Sequence, residues 1–340
     1  MTNSKYRIAL DAFGGDYAPL NEINGAYQLL NDSYHQDVDL YLVGHQQNIR
    51  NVIKEQGYNP DLIKYINAEE RVNMDDDPSE VLKKKKNSSI YVGISKLKEG
   101  EVDAFVSAGN TGAMLAVSTM ILGRINGVSR PTIGSFFPTI TDYPVLVLDV
   151  GATVDLKPRY LYEYAVMGSI YVEKMLNINR PKIGLLNVGE EETKGTDQIK
   201  ETYNILKNSS LNFIGNVEGR DIFSANADVI VCDGFVGNIV LKFAESFLTI
   251  LKSKLKQYSE KNIINKLKTG LVVPILKDIL QQFDYQSYGG VPLLGVNGVS
   301  IIGHGKSTPL AIKNMLIRAK EIIQKDINKQ IEKTLTNLEN

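Results

Sequence analysis

The chain holds one cysteine, Cys232, so it can build neither an intramolecular disulfide nor a thiolate metal cluster. That scarcity fits a reducing compartment. Long apolar runs are missing too: no stretch reads as approaching the roughly 20 apolar residues that span a bilayer. No apolar leader precedes the strand-like Ile8–Leu10, so a soluble, cytoplasmic protein is expected. Charge of one sign is not in excess, with 38 Lys and Arg against 39 Asp and Glu, and no global field selects nucleic acid as a partner. Histidines number three. His35 and His45 lie beside helices in polar sequence and read as surface residues, which leaves His304, between two glycines, as an acid–base candidate. There is no Gly-x-Ser-x-Gly elbow to support a serine nucleophile.

What is present is an ordinary globular composition, 43% apolar and 23% charged over 340 residues. Short apolar runs alternate with longer amphipathic stretches, the pattern of a largely parallel sheet covered by helices. Strands are expected at Tyr6–Leu10, Val38–Val43, Asp103–Val106, Thr132–Phe137, Pro144–Val150, Lys182–Leu186, Leu211–Ile214, Asp228–Cys232 and Gly298–Ile302. The last helix is expected to run from Pro309 to Lys329. One domain, its two lobes sharing one sheet, is preferred to two independent ones.

Five strand ends run into Gly, Asp, Asn or Thr and then into a helix. They are Leu10–Asp16, Ser107–Ala113, Asn187–Thr196, Cys232–Asn238 and Gly303–Thr308. Each places permissive glycines at a sharp turn and aims helix N-terminal N–H groups outward from the carboxyl edge of the sheet, where they attract anions. Asp11, Gly14, Gly15, Gly109, Thr111, Asn238, Lys242, Gly305, Lys306 and Ser307 are the expected binding residues, and Asn110, Lys194, Asp233 and His304 the expected catalytic ones. A nucleotide is a poor fit. Position 300, where a P-loop ending in Gly305-Lys306-Ser307 needs glycine, is Ser, and no Gly-x-Gly-x-x-Gly follows a strand. Glu190-Glu191-Glu192 could ligate a divalent metal, but adjacent carboxylates splay apart, and a helix-start or lobe-contact role serves as well. No metal or cofactor is assigned. Cys232 lies in an apolar strand and reads as packing, and Lys83–Lys86 beside Asp75–Asp77 reads as a solvated helix end.

Between Lys252 and Lys268 there are six Lys and one acid, Glu260, followed by the apolar Leu271-Val272-Val273-Pro274-Ile275-Leu276. Residues 252–284 are expected to project as two helices joined by this apolar tip. Three readings stand: contact of Leu271, Val272, Val273, Ile275 and Leu276 with an anionic membrane surface, contact with a second copy of the chain, or packing of the pair's own apolar face.

The segment Ile8–Pro19 resembles the N-terminal signature of the bacterial phosphate acyltransferases, the acyl-ACP:phosphate acyltransferases of phospholipid synthesis. Asp103–Ala113, Leu185–Gly195, Asn216–Asp221, Asp233–Lys242 and Leu294–Gly298 are similar to further blocks of that family, in its order. Departures are Thr153 and Leu156, where the family usually shows Asn and Cys, and Phe13, where Met is common. The resemblance implies a three-layer α/β/α fold of the isocitrate/isopropylmalate dehydrogenase-like, phosphate acetyltransferase-like kind, and a homodimer. It also implies acyl carrier protein and inorganic phosphate as partners, no cofactor, and an acyl phosphate handed to a membrane glycerol-3-phosphate acyltransferase. The basic flank of 252–268 suits an acidic carrier protein as well as a membrane. Three alternatives stay open: a short-chain phosphate acetyl- or butyryltransferase using coenzyme A, an NAD(P)-dependent dehydrogenase of the same fold, and a non-catalytic membrane adaptor.

Direct attack is the expected chemistry. Phosphate is already an anionic nucleophile and a thiolate a fair leaving group, so the site needs a grip on phosphate and donors for the oxyanion. Asn110–Thr111 and Gly305–Ser307 are expected to supply these, with Lys194 and Lys242 as charge partners and His304 or Asp233 managing a proton.

Overall fold

The computed structural model describes residues 5–32, 37–141, 143–153, 157–280 and 289–338; for Leu248, residues 277–280 and Leu338 only the backbone is described. His35 and the Val154–Leu156 stretch, with the Leu156 departure, lie outside the described residues, as do 281–284 at the end of the expected hairpin.

The first half of the chain comprises β1 (Tyr6–Asp11), α1 (Leu20–Leu30), β2 (Val38–Gly44), α2 (Gln46–Glu55), β3 (Lys64–Asn67), α3 (Pro78–Lys84), α4 (Ser89–Lys98), β4 (Ala104–Ser107), α5 (Thr111–Ile121) and β5 (Thr132–Phe137). The second comprises β6 (Val145–Leu148), α6 (Pro158–Leu176), β7 (Lys182–Leu186), α7 (Asp197–Lys207), β8 (Asn212–Val217), β9 (Val229–Val231), α8 (Gly234–Ser259) and α9 (Ile263–Leu280). The chain then returns through β10 (Val291–Leu294), β11 (Val299–Ile302), α10 (Pro309–Gln324) and α11 (Ile327–Leu338).

All the strands join one 11-stranded sheet, in the order β3-β2-β1-β4-β11-β10-β5-β6-β9-β7-β8. Its central strands are largely apolar because both faces are covered. On β1, Ile8 and Leu10 enter the core shared with Ile23 of α1 and Ile312 of α10, while Ala9 enters the opposite core with Ile94 of α4 and Met114 of α5. Alternation along a strand thus builds the two helical layers.

The pairing is not uniformly parallel. β3, β2, β1, β4 and β11 run parallel, as do β6, β9, β7 and β8, but β10 pairs antiparallel with both β11 and β5, and β5 antiparallel with β6. Direction therefore reverses between the two parallel blocks. Strands β1, β4 and β11 end at one edge of the sheet, and β6, β7 and β9 at the other.

Other differences from the sequence reading are local. β3 and β10 were not anticipated. β3 is a four-residue edge strand, and β10 is equally short and carries Pro292. The expected Pro309–Lys329 helix breaks at Asp326, whose φ is 49, so α10 and α11 are separate. α8 is long and apolar enough to cross a membrane by length and composition, although no such stretch was expected; Lys242 and Glu245, paired at 2.9 Å, interrupt it. The apolar stretch expected to join two helices lies inside α9, Pro274 included, and the turn between α8 and α9 falls at residues 260–262. A proline's lost N–H and ring clash weaken a helix locally without obliging it to stop.

Candidate active site

Three of the five turns meet at one edge of the sheet. β1 delivers Asp11, β4 delivers Ser107, and β11 leads into Gly303–Thr308. Asp11 is fully buried; its Oδ1 accepts from Phe13 N at 2.9 Å and its Oδ2 from Ser107 Oγ at 2.7 Å. Ser107 Oγ in turn accepts from Gly109 N at 3.0 Å. Gly14 fits against this knot only because it lacks a side chain: a Cβ there would stand 2.8 Å from Asp11 Oδ2, Ser107 Oγ and Gly109 N alike. The third turn is tied in by Asp16 N, which donates to Gly305 O at 2.7 Å, and by Asn21 Nδ2, which donates to Ser307 O at 2.9 Å.

Donor N–H groups remain open at this edge. Among the described residues no acceptor is found for the backbone N–H groups of Gly14, Thr111, Gly112 and Gly305. Thr111 and Gly112 form the first turn of α5, where the helix dipole adds to the attraction for an anion. Lys306 is exposed beside them in sequence. His304 is half-buried, its Nδ1 accepting from Lys306 N at 3.1 Å, and the Ser307 hydroxyl donates to His304 O at 2.6 Å. Ser307 and His304 therefore shape the turn.

Asn110, expected as an oxyanion donor, has its side chain engaged with other partners in this structure. Its Oδ1 caps α5 by accepting from Ala113 N, and its Nδ2 donates to the carbonyls of Asn73, Met74 and Asp76 at 3.0–3.1 Å. Both ends of the amide are committed to holding the 73–76 loop against the helix start.

Two charged residues at this edge escaped the sequence reading. Glu22, in the first turn of α1, is 1% exposed, and burial pushes its carboxyl up to about 7, reinforced by the charge of Asp11. Burial also raises Asp11, against hydrogen bonds from Ser89, Ser107 and Phe13. Arg71 reaches in from the segment before α3 and donates to Gly15 O at 2.8 Å.

The other two turns follow β7 and β9, which run opposite to β1, β4 and β11, so Lys194, Asp233, Asn238 and Lys242 sit at the other strand ends from Asn110 and His304. The reversal of strand direction is the reason. Asp233 caps α8, accepting from Val236 N at 2.9 Å. Asn238 faces Gly151, and exposed Lys242 pairs with Glu245. Lys194 is exposed and its carbonyl accepts from Asn187 Nδ2. This edge is braced by Asp149, fully buried, whose carboxylate accepts from the N–H groups of Ile133, Gly151, Ala152 and Thr153.

The remaining candidates behave as structural groups. Cys232 is buried, and burial pushes its thiol well up, as packing requires. Glu190 turns to Arg220 while Glu192 turns to Tyr203 and Lys207, and no metal-ligating cluster occurs among the described residues. Lys84 pairs with Glu80 and Lys85 with Asp76. His45 caps α2.

Along α8, Phe235, Ile239, Phe243, Phe247 and Ile250 are exposed at three- and four-residue spacing, and along α9 so are Ile264, Leu267, Leu271 and Ile275. Such spacing makes one apolar stripe on each helix. Val272 and Val273 are 43% exposed and Leu276 is half-buried.

Residues 6–330 match the family described as fatty acid synthesis protein. The chain is 45% identical over 333 residues to the phosphate acyltransferase of Dictyoglomus thermophilum, covering 98% of each chain. It is 46% identical over 330 residues to that of Desulfitobacterium hafniense, covering 97% of each. Among solved structures it resembles a phosphotransacetylase from Streptococcus pyogenes (TM-score 0.64, 19% identity, 94% of each chain). A second likeness is to the EutD phosphotransacetylase from Staphylococcus aureus (TM-score 0.59, 17% identity, 94% of this chain and 95% of that one). These structures share the three-layer α/β/α fold.

Proposed function

Because the chain belongs to the fatty acid synthesis protein family and is an acyltransferase, we propose that it moves a long-chain fatty acyl group from acyl carrier protein to inorganic phosphate. The products are an acyl phosphate and free carrier protein. The observation that carries this reading is the set of open N–H groups on Gly14, Thr111, Gly112 and Gly305, gathered by three glycine turns at one sheet edge. Four backbone donors, two of them at the N-terminus of α5, suit a small, highly charged anion better than a carbonyl or a hydroxyl.

A phosphate oxygen attacks the thioester carbonyl, forming the C–O bond and a tetrahedral oxyanion, whose collapse then breaks the C–S bond. The thiolate leaves and takes its proton from water. Backbone donors left over from phosphate stabilise the oxyanion that forms between the two events. Arg71, which donates to Gly15 O, adds cationic character beside these donors.

The apolar stripes on α8 and α9 support two further parts of the reading. The α8 stripe suits a second copy of the chain in a homodimer. The α9 stripe, with Lys261, Lys266 and Lys268 near its start, suits peripheral contact of a cytoplasmic enzyme with an anionic membrane, where the product reaches a membrane glycerol-3-phosphate acyltransferase. Substituting Leu271→Glu with Val273→Glu is expected to release the protein from anionic vesicles and spare activity in solution; unchanged vesicle binding would refute membrane contact.

The catalytic reading is tested by following thiol release from long-chain acyl carrier protein, with a long-chain and a short-chain coenzyme A thioester alongside. Release that depends on phosphate and favours the carrier protein is expected. Release without phosphate would mark a thioesterase, and preference for a short coenzyme A thioester a phosphate acetyl- or butyryltransferase.

A further inference from the structure

Glu22 has no part in the reaction as described, yet its surroundings are unusual for a carboxyl. It is 1% exposed, and its Oε2 finds no hydrogen-bond partner among the described residues. A Cβ on Gly15 would stand 2.3 Å from its Oε1, so the carboxyl presses directly on the Gly14–Gly15 turn. From elsewhere in the chain Arg71 donates to Gly15 O at 2.8 Å, holding the same residue. A buried carboxylate with an unmet oxygen is costly, whereas a neutral carboxylic acid tolerates the same place.

We propose that Glu22 is a positioning residue that sets the phosphate affinity of this site, its neutral form holding the Gly14–Gly15 turn open to the anion and its charged form opposing that anion. This rests on the reading that the three turns hold phosphate. Burial and the neighbouring Asp11 push Glu22 up to about 7, while its own backbone N–H, the Gly15 N–H and Arg71 act in the opposite sense. On α10, which packs along α1, Lys313 and Lys320 are already paired with Asp32 and Asp37. A folded-state value raised in this way leaves the neutral form dominant below about 7 and the charged form above it. At an effective dielectric near 20, one negative charge within about 10 Å weakens anion binding about tenfold or more.

The test is KM for phosphate in the native enzyme and in Glu22→Gln, measured from about pH 5.5 to about pH 8.5, on either side of the raised Glu22 value. Phosphate itself titrates in this range, and the ratio of the two KM values cancels that contribution. The native-to-variant ratio is expected to rise from about 1 to about tenfold across neutrality, with the kcat ratio flat. A flat KM ratio, or a change confined to kcat, overturns the proposal. Glu22→Leu, uncharged at every pH but unable to accept from the Gly15 N–H, is expected to show the same rise of about tenfold in the ratio from a lower starting value, and it decides the matter if the Gln variant does not fold. Gly14→Ala separates this proposal from its premise: a raised phosphate KM there with a flat Glu22 ratio removes only Glu22. An unchanged phosphate KM in Gly14→Ala moves phosphate elsewhere and removes both.

Discussion

Replacing Gly14 with alanine adds one carbon at the point where the β1 and β4 turns touch. That carbon would stand 2.8 Å from each of Asp11 Oδ2, Ser107 Oγ and Gly109 N, and all three belong to one hydrogen-bonded knot. None is the loose end of a long side chain, so the turn itself must move by several tenths of an ångström. Overpacking of this kind costs about 1–3 kcal/mol. Disturbing a hydrogen bond to the buried Asp11 carboxyl adds about 1–3 kcal/mol. A loss of about 2–6 kcal/mol in urea unfolding is therefore expected, with phosphate KM raised because the Gly14 N–H is displaced. Gly219→Ala serves as the control, since a Cβ there meets nothing within 4 Å, and is expected to stay within about 0.5 kcal/mol of the native protein. A Gly14→Ala protein with native stability and native phosphate KM would refute the packing described here.

Asn110→Ala removes an N-cap and the donors to three carbonyls, and is expected to lower stability by about 2–4 kcal/mol in chemical unfolding. Its remaining activity is expected to track the fraction folded; a fully stable but inactive variant would return Asn110 to the chemistry. Cys232 is buried with its thiol pushed up, so a thiol reagent is expected to label it only after unfolding, and Cys232→Ala is expected to keep its activity. Rapid labelling of the native protein would contradict that burial.

The strand-to-helix turns were legible because turn chemistry is local. A Gly, Asn or Thr after an apolar run marks a strand-to-helix turn whatever the rest of the chain does, and Asn110, Asp233 and Thr308 indeed cap their helices. The strand positions followed from apolar runs for the same reason. Strand direction is not local. Yet a signal was present: only residues 138–144 separate β5 from β6, fewer than the dozen or so a parallel crossover needs. That short link reverses the sheet and sends Lys194, Asp233, Asn238 and Lys242 to the far edge. Glu22 was invisible because a Glu in a helix's first turn is ordinarily solvated; its burial depends on Gly15 leaving room and on Gly25 letting α10 close in, where a Cβ would meet Ile312 at 2.6 Å. Arg71 sits in irregular sequence and becomes informative only through its bond to Gly15. At α9, Pro274 suggested a tip where the helix in fact continues.

In the proposed reaction, phosphate held by the N–H groups of Gly14, Thr111, Gly112 and Gly305 attacks the thioester directly. Mixing the enzyme with long-chain acyl carrier protein in the absence of phosphate and recording its intact mass tests this most plainly. An unmodified enzyme mass is expected, with acyl phosphate formed only when phosphate is added. An enzyme that gains the mass of one acyl group and passes it on to phosphate would contradict the account.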